Sequence, residues 1–298
     1  PCRDVPVPDT TLPGRNPRGL HLRRKRLRAA VGAARLLSLC TALAAIVPAP
    51  SAHAWSADAH EIICEIAWQR FTPAAKKLVR SLRRADPEPG RTFAASCAWA
   101  DRVRERGGRF ADSAPWHYVN VPAAADGIDP RRDCPAPKRC VTWAITRFGR
   151  QLADPGRSAA SRAEALKFLA HFIGDVHQPL HVGRPDDRGG NEIAVDFFGD
   201  HGRCRHGAER DLHEVWDRHL LARAGERGPA AARRLAAAIP AGSAAGWQNT
   251  DVLAWANESF TLCGAVVYAL PGSVERCGGR QFARIDEAYY ARAVDVSR

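Results

Sequence analysis

Between His171 and His181 the chain reads HFIGDVHQPLH, three histidines and an aspartate within eleven residues. An α-helix turns once every 3.6 residues, so His171 and Asp175 share one face and converge on the same point. Pro179 cannot continue a helix, which sets His181 past its end and off that face. Downstream, His213 and Asp217 repeat the four-residue step. Imidazole nitrogens and carboxylate oxygens without thiolates are the donors of a catalytic transition-metal site that keeps a position open to water. The offset of His181 suits a second ion better than a further ligand to the first. Together the two His/Asp pairs and His181 read as a metal site.

The N-terminal stretch has a different character. A basic run from Arg23 to Arg28, an apolar run from Leu36 to Val47 and the small-residue site Ala52-His53-Ala54 form the three regions of a secretory signal peptide. The apolar run is too short and too Ala-rich for a membrane span. The expectation is a leader over residues 1–54, cleavage after Ala54, and a secreted or periplasmic protein of residues 55–298 that begins at Trp55 and has no membrane anchor. Those 244 residues suffice for one domain with a sizeable core.

Of the chain's net charge of +12, the leader's nine Lys/Arg against two Asp/Glu account for +7, which leaves +5 on residues 55–298. A modest basic excess suits a polyanion such as nucleic acid or an anionic lipid face. Arg/Ala-rich coding produces the same excess, so charge alone decides little. Seven cysteines follow the leader, and in an exported protein they are expected as disulfides. Cys134 and Cys140 enclose a short loop and form the expected local pair. Cys64 with Cys97 and Cys263 with Cys277 are the other expected pairs, with Cys204 left over.

Apolar residues recur at helical spacing over residues 61–70, 73–83, 93–105, 141–152, 163–176, 212–223, 230–239, 247–268 and 282–294. Only residues 193–198, between Gly189-Gly190-Asn191 and Gly199-Asp200, alternate as a strand. The expected fold class is all-α, one mainly helical domain with a small β-hairpin insertion.

Three further motifs precede the His-rich run: Trp55-Ser56-Ala57-Asp58-Ala59-His60, Trp99-Ala100-Asp101 and Trp116-His117-Tyr118. With these, the order His60, Asp101, His117, His171, Asp175, His181, His213, Asp217 resembles the zinc-dependent, single-strand-specific nuclease family of the S-one/P-one type, across essentially all of residues 55–298. The Gly189-Gly190-Asn191 turn and Val195-Asp196-Phe197-Phe198-Gly199 resemble it too. The resemblance implies a helical domain with three zinc ions in a cleft. Asp101, His117, His171 and Asp175 would hold one ion. The α-amino group and carbonyl of Trp55, with His60 and Asp175, would hold the second, and His181, His213 and Asp217 the third. An α-amine ligates only as a free terminus, which cleavage after Ala54 would create.

The chemistry implied is hydrolysis of single-stranded DNA and RNA to 5′-phosphorylated products, with 3′-nucleotides as further substrates and no stable protein partner. Asp175 would bridge the close zinc pair and Asp101 would hold the nucleophile, while Tyr118 would stack an unpaired base and Arg104 would contact phosphate. The chain departs from the family at Ser56 and Ala59, where glycine is usual. The family also commonly adds a helix after Ala288-Tyr289-Tyr290, so a truncated C-terminus is expected. Zinc-dependent phospholipases C share the three-zinc plan but end their last ligand pair in Glu rather than Asp and place the terminal Trp further from the first His. A nucleic-acid-binding protein with structural zinc would saturate its ions with protein ligands. An HD-type phosphohydrolase would need an adjacent His-Asp pair, which is absent.

Overall fold

The computed structural model describes residues 55–298 except 137–138, 200–209, 241, 244–246, 273–274 and 278–279. Residues 1–54, expected as a leader, and Cys204 lie outside the described residues. The chain enters on α1 (Ala57–Arg70), capped by the Ser56 hydroxyl, which accepts the Ala59 amide at 3.3 Å. Thr72 and Pro73 start α2 (Pro73–Ala85) with the oxygen cap and N-terminal proline that a helix start favours.

The helix expected over 93–105 is broken in two. Thr92 caps α3 (Phe93–Cys97), and α4 (Trp99–Arg106) follows after Ala98, whose φ of −83° and ψ of 9° turn the axis. A 3-10 segment, Gly108–His117, then leads to extended Tyr118. Two long helices form the centre: α5 (Val141–Ala153) and α6 (Ala159–His177). They bury Phe148, Phe168 and Phe172 as a stack between them, with Phe148 and Phe168 centroids 4.5 Å apart. Gln178 ends α6, and Pro179–Val182 makes one 3-10 turn.

The next helical stretch, α7, is built from Leu212–Glu214, a wider π turn over Val215–His219, and Leu220–Arg223. It is followed by α8 (Gly228–Ala238) and α9 (Val252–Leu262). The helix expected over 247–268 begins late because Asp251 caps it, accepting the Leu253 and Ala254 amides, and it ends in a π turn over Cys263–Val267.

The expected small β element is present, as a sheet of three strands. β1 (Ile193–Phe197) pairs in parallel with β3 (Arg280–Ile285), which forms a hairpin with β2 (Glu275–Cys277). The strand legible in the sequence pairs along its length with a partner far down the chain, and on its other side Ala194 bridges Asp211 in antiparallel fashion. Residues expected as helix from 282 belong to β3 as far as Ile285, and α10 (Glu287–Ser297) starts only after Asp286 caps it. Phe282, Ala283 and Ile285 are buried there. The sheet closes a second core around Trp216, whose indole N–H donates to the Tyr289 hydroxyl at 3.0 Å.

Disulfides join Cys64 to Cys97 and Cys134 to Cys140. The expected Cys263–Cys277 pair does not form; Cys263 is a buried free thiol in the second core. Among the described residues no helix is long and apolar enough to cross a membrane.

Candidate metal centre

Five histidines and three aspartates from six segments meet in the interior. α1 supplies His60 in its second turn, and α6 supplies His171 and Asp175 one turn apart. The two helices touch because of Gly174: a Cβ there would lie 2.9 Å from His60 Nδ1. The break after Cys97 aims Asp101 inward from the first turn of α4, and the 3-10 segment ends on His117. His181 sits on the turn after Pro179, while His213 and Asp217 come from α7.

Asp175 is the hub. Its Oδ1 lies 3.3 Å from His60 Nε2 and 3.6 Å from His181 Nδ1, and its Oδ2 lies 2.9 Å from His117 Nδ1 and 3.2 Å from His171 Nε2. Asp101 stands 3.6 Å from His117 Nδ1 and 3.7 Å from His171 Nε2. At the other end, Asp217 is 3.3 Å from His213 and 3.7 Å from His181. Three sets have donor atoms close enough to share an ion: His60, Asp101 and His171; His117, His171 and Asp175; His181, His213 and Asp217. The turn at Pro179 thus does what its sequence implies and takes His181 to the Asp217 set.

Backbone carbonyls fix three of the rings. The Nδ1–H groups of His171, His181 and His213 donate to the carbonyls of Cys97, His117 and Gly189 at 2.8, 2.7 and 2.6 Å, which turns each Nε2 toward the cleft. Gly189 holds its place with φ +63°, where a Cβ would strike the Leu180 carbonyl at 2.7 Å.

Burial dominates the electrostatics. It pushes His117 down to about 4 and lowers His60 as well. For His181, burial is outweighed by Asp175 and Asp217, which push it up to about 9. Burial also opposes the charge on Asp175, yet His171 and His181 hold it well below the usual carboxylate range. His60 Nε2, His117 Nε2, His181 Nε2, Asp101 Oδ1 and Asp175 Oδ1 are buried and make no hydrogen bond. A buried polar atom without a hydrogen bond costs about 1–3 kcal/mol, so nitrogen and carboxylate oxygen atoms gathered here in charge contact but without hydrogen bonds mark a place suited to a cation. A borderline cation with nitrogen and oxygen ligands fits this donor set.

The remaining expected residues surround the cleft. Trp55 is buried against Ala59 and Leu221, and the Ser56 amide donates to the Asp217 carbonyl at 3.0 Å. The Arg104 guanidinium lies 3.3 Å from Asp101 Oδ1, and Tyr118 is exposed beside His117. One residue escaped sequence reasoning. Gln178 is fully buried; its amide N–H donates to Asp217 Oδ1 at 2.7 Å and its carbonyl accepts the Leu180 amide at 2.6 Å. Its position as the last residue before a helix-ending proline was the available signal.

Residues 55–298 match the S1/P1 Nuclease family. The chain belongs to that family. Its relatives include Endonuclease 2 of Arabidopsis thaliana, 37% identical over 58% of this chain and 58% of that protein. Endonuclease 5 of the same plant is 31% identical over 69% of each chain. Nuclease P1 of Penicillium citrinum is 32% identical over 56% of this chain and 58% of that enzyme. The match to Endonuclease 2 and to Nuclease P1 thus spans somewhat more than half the length of each.

Proposed function

We propose that this S1/P1 family member is a secreted or periplasmic zinc-dependent endonuclease. It hydrolyses phosphodiester bonds of single-stranded DNA and RNA to 5′-phosphorylated products and removes phosphate from 3′-nucleotides. The observation that carries this reading is Asp175, a fully buried carboxylate within 3.6 Å of four imidazoles.

Asp101, His117, His171 and Asp175 would hold one zinc; Trp55, His60 and Asp175 a second; His181, His213 and Asp217 a third. Bound zinc would supply the Lewis acidity that activates water near neutral pH and offsets phosphate charge. Asp101 and Asp175 orient the nucleophile from one side of the cleft. Arg104, held against Asp101, presents a guanidinium to the phosphate oxygens. Tyr118 supports single-strand preference, since only an unpaired base offers a face to an exposed ring. Removal of residues 1–54 as a signal peptide frees the Trp55 amine.

The test is cleavage of circular single-stranded DNA by protein beginning at Trp55. Duplex DNA and phosphatidylcholine run in parallel, before and after chelation and zinc return. Loss of the single-stranded circle that chelation stops and zinc restores is the expected result. Lipid hydrolysis without DNA cleavage would overturn the reading.

A further inference from the structure

The hydrogen bond from the Val141 amide to the Tyr118 carbonyl, 3.1 Å long, ties the edge of the cleft to the start of α5. From that edge an exposed cationic stripe runs outward. Arg139 precedes the helix, and Trp143, Arg147 and Arg150 follow at the three- and four-residue spacing of one helical face. All three arginines are exposed, and Trp143 is half-buried. The guanidinium carbons of Arg139 and Arg147 lie 4.4 and 5.2 Å from the Trp143 ring centre. Beneath, Trp143 packs 5.8 Å from Trp116, the residue just before His117.

A guanidinium stacked on an indole keeps its N–H edge turned to water and loses little freedom when it takes an oxyanion. Among the described residues, Arg139, Arg147 and Arg150 form no ion pair, whereas nearby Arg132 is held by Asp133. From Trp143 to Arg150 the helix rises ~10 Å, about the length of three stacked nucleotides. Cations interleaved with aromatic rings, tied through Tyr118 and Trp116 to the residues flanking His117, are the arrangement that tracks a single strand.

We propose that Arg139, Arg147 and Arg150, braced by Trp143, form a distal track for the phosphates of a single-stranded nucleic acid as it leaves the cleft past Tyr118. This rests on the nuclease reading of the cleft. The track makes affinity depend on strand length, because a trinucleotide beginning at Tyr118 spans about 10 Å and cannot cover all three arginines.

The test measures binding of zinc-loaded protein to phosphorothioate-linked oligothymidylates of 3 and 15 nucleotides over a range of salt. The parent is compared with R139Q/R147Q/R150Q and with the charge-keeping R139K/R147K/R150K. The glutamine variant should bind the 15-mer roughly tenfold more weakly and lose about two from the log–log salt slope, with a much smaller loss for the 3-mer. The lysine variant should recover the slope. Equal losses at both lengths, or an unchanged slope in a glutamine variant with the parent's circular dichroism, would overturn the track. Failure of the parent to cleave any nucleic acid would count against the nuclease reading, and the length dependence of binding would still decide the track.

Discussion

Gln178 and Asp217, 39 residues apart in sequence, meet as a buried pair in which the glutamine amide fixes one carboxylate oxygen and leaves the other facing His213. Replacing Gln178 with Leu strands both Asp217 Oδ1 and the Leu180 amide. The variant should lose about 1–3 kcal/mol of stability and bind the ion of the His181 set about 10–100-fold more weakly. Zinc content after dialysis and thermal melts measure the two effects, and a variant with parental zinc would refute the positioning role.

Asp175→Asn keeps the shape of the hub and removes its charge. Hydrolysis should fall by at least about a hundredfold with loss of zinc from the end of the cleft near His60 and His171, whereas Asp217→Asn should empty only the His181 end. Metal analysis of the two purified variants separates the ends. Full metal in both would mean that neither carboxylate is a ligand.

The Cys64–Cys97 link closes 33 residues and Cys134–Cys140 closes 6. Loop entropy assigns about 4 kcal/mol to the first and about 2 to the second. Cys97 also offers the carbonyl that aims His171. Serine replacement of the first pair should therefore lower both the urea midpoint and zinc retention, and replacement of the second should lower the midpoint alone.

Burial pushes the Cys263 thiol up to about 12. A raised acid pKa adds stability that is complete below the unfolded thiol's value near 9 and fades as pH climbs from there toward 12. Folded protein at pH 8 should leave Cys263 unmodified by iodoacetamide, with alkylation appearing in denaturant. Peptide mass mapping resolves Cys263 from the other cysteines. Rapid labelling of the native thiol would contradict its burial.

The cleft was legible because its spacing obeys helix geometry: His171 with Asp175 and His213 with Asp217 each repeat after four residues, and Pro179 marks where the axis must turn. Gln178 was not legible as a partner of Asp217, since nothing local relates two residues that only the tertiary fold brings together. The same limit explains β3. Phe282, Ala283 and Ile285 read equally well as one face of a helix, and only pairing with β1 makes them a strand. Local spacing suffices for Cys134 and Cys140, whereas the state of Cys263 is set by tertiary packing, which buries it as a free thiol with Val267 and Tyr289.

The parallel pairing of Ile193–Phe197 with Gln281–Ile285 has a consequence for the order of assembly. While the chain is still being translated, β1 must wait for a partner emerging more than eighty residues later, with Trp216 and its neighbours uncovered in the meantime. Contacts so distant form late and slowly. A ribosome-bound or proteolysed form ending before Arg280 would present an open strand edge to other chains, the state in which aggregation competes with folding.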